Sequence, residues 1–174
     1  YIAQTAIQSN EDRARVSSFY LIAVGSLVAA MFGAQYIDTA LLSMDPNLIF
    51  SGLFALLTLL GTSTIMQLAR LRAAWHESAL AMDQIKDYML SHNETLDVAI
   101  RWKTNTLPPK YKKDSISYYQ AMEVALISGL MSGATILFLQ RSFLAIGVLH
   151  WILAIVIGCA TIFVQRFIYR WALK

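Results

Sequence analysis

Two ionisable side chains, Glu123 and His150, lie within long apolar stretches of this sequence. A carboxylate in such a place can bind a cation or carry a proton, and an imidazole can relay a proton, ligate a cofactor or hydrogen-bond a quinone. Each residue also has a structural interpretation. Glu123 lies about one turn from the end of its stretch, where it can pair with Arg166, and His150 can bond to a neighbouring helix. Both interpretations stay open for both residues.

The rest of the sequence contains no pattern typical of a catalytic or metal site. It has one cysteine, Cys159, and no HExxH, glycine-rich phosphate loop or nucleophile–base set. His76 precedes Asp83 and Asp87 on one helix face, but closely spaced ligand pairs are missing, so a solvated acidic face is the better interpretation. We therefore predict no catalytic residues, no metal, no cofactor, and a protein that is not an enzyme.

The elements that hold these residues are four apolar stretches. Hydrophobic residues make up 57% of the 174-residue chain and charged residues 14%, whereas soluble domains are about half apolar and a quarter charged. Glu123 is the only formal charge within the stretches, which comprise residues 19–37, 48–68, 121–139 and 143–164. Because about 20 helical residues cross a hydrocarbon core, we predict an all-α integral membrane protein with four transmembrane helices in two hairpins.

The distribution of basic residues predicts the orientation of these helices. Arg141 is the only Lys or Arg in the two loops that join the members of each hairpin, and the other thirteen of the fourteen lie on the opposite side. Because loops rich in Lys and Arg stay in the cytoplasm, we expect both termini there, in the inner membrane if the source is prokaryotic. The net charge of +3 reflects this topology, and no nucleic-acid partner is expected.

Small residues at four-residue spacing predict close helix packing in the first and third spans. Such residues let two backbones approach each other within a membrane. The first span has Gly25, Ala29 and Gly33, and the third has Ala125, Gly129 and Gly133. The two hairpins, within residues 1–69 and 119–174, are thus expected to pack through these faces.

Three hydroxyl residues of the second span, Ser51, Thr58 and Thr62, lie near one helix face. They are expected to hydrogen-bond carbonyl groups of their own helix or a neighbouring helix. The alternative is a face that lines a pore or contacts a ligand. A helix near Asn10 is expected to lead into the first span, since Ser9 and Asp12 have the spacing of a capping box.

Residues 70–118 form the only long polar segment, and we predict a cytoplasmic helical hairpin there. Nothing helix-breaking follows the second span, so one helix is expected over about residues 47–90, with a heptad series whose members are Leu68, Leu71, Trp75, Ser78, Met82, Ile85 and Met89. Residues 91–93 indicate a break, and a second helix is expected at about 94–105. The aromatic candidates for partner docking are Trp75, Trp102 and Tyr111.

The function expected from this layout is that of a non-enzymatic membrane subunit in a larger homo- or hetero-oligomeric complex. Its partners would be the lipid bilayer, other membrane subunits or copies of itself, and a cytoplasmic protein docked on residues 70–118. The alternative is an oligomeric channel or membrane-perturbing effector gated through that segment, and the layout is similar to small multi-span effectors of bacterial defence systems. A third hypothesis is a redox or quinone-binding subunit that uses His150 and Glu123.

Overall fold

The computed structural model describes residues 2–34, 45–93, 107–143 and 147–174, and these form an all-helical bundle. The helices of these ranges are α1 (Ile2–Ala34), α2 (Pro46–His92), α3 (Ile116–Phe143) and α4 (Val148–Ala172). All four are long and apolar enough to cross a membrane. The predicted helix at 94–105, which includes Trp102, lies outside the described residues.

Helix α2 confirms the prediction of one continuous helix that extends past the second span. Its 47 residues correspond to a length of about 70 Å. Asp45 caps its first turn by accepting a hydrogen bond from the Asn47 amide at 2.9 Å, and Pro46 occupies the first helical position. Proline is tolerated there because the amide would have no partner within the helix.

Three predicted boundaries were wrong. Helix α1 begins at Ile2, and Ser9 does not cap it but donates a mid-helix hydrogen bond to the Thr5 carbonyl at 2.8 Å. Phe143 ends α3 and does not begin α4, which starts at Val148. The apolar run alone could not show this, because residues 144–147 include no charge or proline that would mark a helix end.

The helices pack in the order α1, α2, α3 and α4, with α2 and α3 in the middle and an additional contact between α2 and α4. The buried core includes Tyr20, Leu68, Val124 and Tyr169. It lies toward the end of the bundle where α1 and α3 begin and α2 and α4 end. We call this the basic end, because every described Lys and Arg except Arg141 lies on that side.

The seam that is buried along the outer part of α2 is not the predicted heptad series. Ile85 and Met89 of that series are exposed, whereas Ala69, Arg72, Ala79 and Asp83 are buried. These buried residues are three, seven and four positions apart, on a face rotated from most of the predicted series, and they face an antiparallel α1 with its own buried series, which comprises Ala6, Ser9, Arg13, Ser17 and Tyr20. Alanine and charged side chains are thus buried here, while Ile85 and Met89 stay outside.

Candidate functional site

A polar cluster lies within the apolar part of the bundle, and Gln165 of α4 is at its centre. Its side-chain amide donates to the Thr62 hydroxyl at 2.9 Å and to the Ser128 hydroxyl at 2.7 Å. Ser128 in turn donates to the Thr58 carbonyl at 3.3 Å. Gln165 is only 1% exposed, so these bonds join α2, α3 and α4 where water is excluded.

Further hydroxyl bonds extend this cluster toward the opposite end of the bundle. Thr161 of α4 donates to the Ser132 hydroxyl at 2.9 Å, and Ser51 of α2 donates to the Thr135 carbonyl at 3.0 Å. Both bonds cross between helices. The interface of α3 with its two neighbours therefore carries hydrogen bonds along most of its length, which fixes the register of the three helices.

Gly61 makes room for the cluster at the contact of α2 with α1 and α3. A Cβ atom at this position would lie 2.6 Å from the Ser128 hydroxyl oxygen and 2.8 Å from the Tyr20 hydroxyl oxygen. Only glycine accepts both groups so close to the helix backbone. Tyr20 is almost completely buried, and its ring brings α1 into contact with the other helices at this level.

The cluster is not fully satisfied, because the Gln165 carbonyl oxygen has no hydrogen-bond partner among the described residues. The members are amides, hydroxyls and one phenol, so the group offers hydrogen bonds rather than acid–base or nucleophilic chemistry at neutral pH. The arrangement selects one packing of the helices. Any other packing would separate these buried polar groups from their hydrogen-bond partners, at a cost in free energy.

A second buried cluster, at the basic end, contains two arginines. Arg13 of α1 and Arg72 of α2 are both more than nine-tenths buried, and within the described residues neither forms an ion pair with a carboxylate. Arg72 donates to the Lys110 carbonyl at 3.2 Å and lies 4.3 Å from the centre of the Trp75 ring. Arg13 donates to the Asn10 side chain.

Tyr169 of α4 completes this cluster. Its hydroxyl group lies 2.9 Å from the Ser117 hydroxyl oxygen. Burial raises the pKa of the Tyr169 phenol, although Ser117 and the two arginines oppose this shift. Burial lowers the pKa of Arg13, and the neighbouring Arg72 charge lowers it further. The two cations thus have polar but uncharged neighbours, which are the Asn10 side chain, the Lys110 carbonyl and the Tyr169 phenol.

The segment before α3 folds onto this cluster through Tyr111 and Lys110. The Tyr111 ring packs against Tyr118 and Tyr169, with ring centres 6.2 and 6.4 Å apart. Lys110 lies 3.6 Å from the Glu77 carboxylate on α2. Burial lowers the pKa of His76, and the positive charge of Lys110 lowers it further. These contacts fix the return of the chain toward the membrane.

The two intramembrane candidates occupy different environments. Glu123 is exposed on α3 and, within the described part of the chain, makes no ion pair with Arg166 or another residue. His150 lies in the first turn of α4, where its Nδ1 atom accepts a hydrogen bond from the Gly147 amide at 3.0 Å. His150 thus stabilises the first turn of α4. Gly147, which precedes this helix, has no side chain that could do so.

The predicted docking aromatics are only partly available. Trp75 is half-buried beneath Arg72, and Tyr111 is half-buried between two other tyrosines. Neither stands out as a free anchor, because each already has an intrachain partner. The third candidate, Trp102, lies in the range that the structure does not describe.

The hydroxyl face of α2 points into the bundle. Ser51 is buried and bonds to α3, Thr58 donates to the Phe54 carbonyl at 2.9 Å, and Thr62 donates to the Thr58 carbonyl at 3.1 Å. These are the helix-directed bonds that were expected from such residues. A pore lined by these three side chains would require α3 and α4 to move away from α2.

The two small-residue ladders also differ. A Cβ atom on Gly129 would lie 2.8 Å from the Gly158 carbonyl oxygen of α4, and one on Gly133 would lie 3.1 Å from the Ala154 carbonyl oxygen. Ala125 is buried in the core. The α1 expectation needs correction: no described atom lies within 4 Å of the equivalent positions on Gly25 and Gly33, and Ala29 is exposed. No described helix covers that face.

Sequence reasoning missed the residues that organise both clusters. Gln165 follows directly after the predicted fourth span, and no sequence pattern singles it out. Arg13 and Arg72 had been counted only as topology signals. Gly61 is a single glycine within an apolar run, and Gly158 follows Ala154 at the spacing of a small-residue pair, so both positions carried a signal of close approach.

Two further comparisons bear on the site. Among the residues that the structure describes, no group of three or more His, Cys, Asp or Glu side chains is arranged to hold a metal ion. Comparison with models of known families, with curated proteins and with solved structures found no match. The function must therefore be inferred from the chain's own geometry.

Proposed function

We propose that this chain is a non-enzymatic, multi-pass subunit of a larger membrane complex, assembled through the part of α2 that extends beyond the second span. In the proposed orientation both termini and residues 70–118 are cytoplasmic, as the distribution of Lys and Arg favours. The clusters around Gln165 and Arg72 hold the four helices in one arrangement. The extension of α2 then presents a surface to copies of this chain or to other subunits.

The observation that carries the proposal is the exposure of large apolar side chains near the end of α2. Ile85 is 51%, Tyr88 67% and Met89 48% exposed. These residues lie about 17 or more positions past the end of the second span, or roughly 25 Å along the helix, where hydrocarbon cannot cover them. Adjacent exposed apolar residues outside a membrane are typical of a protein interface.

The open ladder of α1 supports the same conclusion from within the membrane. Its small residues would let a helix of another subunit approach closely, as Gly129 and Gly158 do between α3 and α4. Because lipid can also cover this face, the proposal rests on the exposed residues of α2 rather than on the ladder.

The mass of the protein in mild detergent tests this proposal. Wild-type protein is expected at a multiple of the 19.5 kDa chain or in fixed stoichiometry with other subunits. The double variant Ile85→Asn with Met89→Asn should dissociate, whereas the control Gln84→Ala, at an exposed position beside them, should not. Wild-type protein that stays monomeric and co-purifies with no other subunit would contradict the proposal.

The same preparation separates the other two hypotheses. A closed ring of identical chains that conducts ions in a bilayer would favour the channel or membrane-perturbing effector. An absorbance band from a bound chromophore, or a quinone retained in the preparation, would favour the redox subunit that uses His150 and Glu123.

A further inference from the structure

A groove runs between α1 and α2 on the outside of the bundle, and it consists of two adjoining cavities. Their volumes are about 330 and 340 Å³. Arg15, Val16 and Gln67 line both cavities, so the two form one continuous groove. We call it the α1–α2 groove. Its volume is sufficient for part of a lipid-sized ligand, since ligand sites commonly have volumes of about 300–1,000 Å³.

One half of the α1–α2 groove is apolar and lies within the predicted spans. Phe19, Ala23 and Leu60 line it, together with the ring of Tyr20 and the short side chains of Ser63 and Thr64. Phe19 is 68% exposed. This half therefore opens sideways, in the direction from which a hydrocarbon chain would enter.

The other half is charged and begins where the apolar spans end. Asp12, Arg15 and Arg70 line it, with Leu71 beside them. Arg15 has only a long contact of 3.9 Å with Asp12, and its side chain is 80% exposed, so this ion pair contributes little. Arg70 makes no ion pair within the described part of the chain. The half as a whole keeps a net positive charge.

From this geometry we propose that the α1–α2 groove is a binding site for an anionic phospholipid. The acyl chain lies along Phe19, Ala23 and Leu60, and the headgroup phosphate lies between Arg15 and Arg70. Gln67, at the junction of the two halves, is in position to donate a hydrogen bond to the ester region. The change from apolar to cationic lining follows the axis along which a phospholipid changes from tail to headgroup.

Charge complementarity favours a lipid over a second protein helix as the occupant. Anionic headgroups attract Lys and Arg at the membrane surface, with a contribution of about 1 kcal/mol for each basic residue, or about fivefold in affinity. A protein helix would have to bring a carboxylate to the same level to satisfy both arginines. The phosphate of a membrane phospholipid already lies at that level, next to its acyl chains.

Native mass spectrometry of the delipidated protein tests the proposal, with phosphatidylglycerol and phosphatidylcholine of identical acyl chains as probes. Wild-type protein should bind phosphatidylglycerol in preference to phosphatidylcholine. The double variant Arg15→Gln with Arg70→Gln should weaken phosphatidylglycerol binding about 25-fold, which is fivefold for each arginine. The control Arg166→Gln with Lys174→Gln removes two exposed charges at the basic end, one on α4 and one just after it. It should leave the affinity nearly unchanged.

A second variant tests the apolar half independently of charge. Ala23→Phe fills the groove beside Phe19 and should lower the binding of phosphatidylglycerol while both arginines remain, even if the double arginine variant cannot be purified. Equal binding of the two lipids by wild-type protein, or equal losses in the arginine variant and its control, would overturn the proposal. So would a dimer whose formation excludes lipid from the groove.

Discussion

The ladders of small residues on α1 and α3 have similar spacing but different surroundings. On α3, Gly129 lies so close to α4 that a Cβ atom would meet the Ile162 side chain and lie 2.8 Å from the Gly158 carbonyl oxygen. On α1, Gly25 has no described atom within 4 Å of that position. Small residues permit close approach, but a neighbouring helix with its own small residue is what makes the contact.

The difference follows from where each helix is held. Helix α1 packs along α2 up to Tyr20 and Val24, and the exposed Gly25 and Ala29 follow. Helix α3 lies between two partners: Ser128 donates a hydrogen bond to α2, and Ser132 accepts one from α4. The bundle is thus tightly joined on the α2–α3–α4 side and open on one side of α1.

The largest difference is expected between alanine substitutions of one glycine in each ladder. Gly129→Ala should lower the free energy of unfolding by about 3 kcal/mol, because the added methyl group meets the α4 backbone and cannot be accommodated by a side-chain movement. Gly25→Ala should have almost no effect. Thermal unfolding in the same detergent measures both, and equal melting temperatures would contradict the assigned contacts.

A smaller loss is expected at the contact between α2 and its two neighbours. Gly61→Ala places a methyl group against the Tyr20 hydroxyl, which can shift, and against the Ser128 Cβ atom at 2.7 Å, which can move only with the α3 backbone, so the cost should be about 2 kcal/mol. Gly52→Ala is the control, since no described atom lies within 4 Å of its Cβ position. If Tyr20 holds α1 in place, adding Tyr20→Phe should recover part of the loss.

The polar cluster should contribute less than the close packing. Gln165→Leu removes two hydrogen bonds between helices, each worth about 0.6 kcal/mol in a membrane protein, and should lower the unfolding free energy by about 1 kcal/mol. Ser63→Ala, on the exposed face of α2, should be neutral. A stabilising effect of Gln165→Leu would show that the unpaired carbonyl oxygen costs more than the two bonds contribute.

The smallest expected effect is a pH dependence of the contact between α2 and the segment before α3. Because the pKa of His76 is lowered in the folded protein, its contribution to stability is present above about pH 6.5, the ordinary pKa of histidine, and is lost as the pH falls from there through the lower pKa of the folded state. The amide protection factors in residues 107–113, which correct for the slower intrinsic exchange at lower pH, should therefore decrease slightly at pH 5.5. His76→Gln should remove this change, and His92→Gln, at an exposed position, should retain it.

Local sequence patterns predicted where the helices lie, but they did not predict which helices pack against each other. The length of α2 followed from the absence of a helix breaker after Leu68, and its start from Pro46. The α3 ladder was assigned to helix packing, where Gly129 and Gly133 indeed lie, but nothing in one sequence says which helix lies opposite a ladder. Gly25 has no described partner within this chain, so packing of the α1 ladder against another helix stays a prediction.

The residues that join the helices were harder to predict, for physical reasons. Gln165 lies just outside the predicted fourth span because hydropathy places the end of a span at the first strongly polar residue, although a buried amide with partners is tolerated farther in. Arg13 and Arg72 were interpreted through their charge alone. Their burial depends on the fold of all four helices, which no short window contains.

The central claim is that an even number of spans brings both termini and the extension of α2 to one side of the membrane, the cytoplasm. Reporter fusions test it most directly, with alkaline phosphatase and green fluorescent protein joined after Asn93, after Arg141 and after Lys174. Fluorescence without phosphatase activity at Asn93 and Lys174, with the reverse at Arg141, is the predicted result. Phosphatase activity at Asn93 would contradict the orientation, and opposite signals at Asn93 and Lys174 would contradict the four spans themselves.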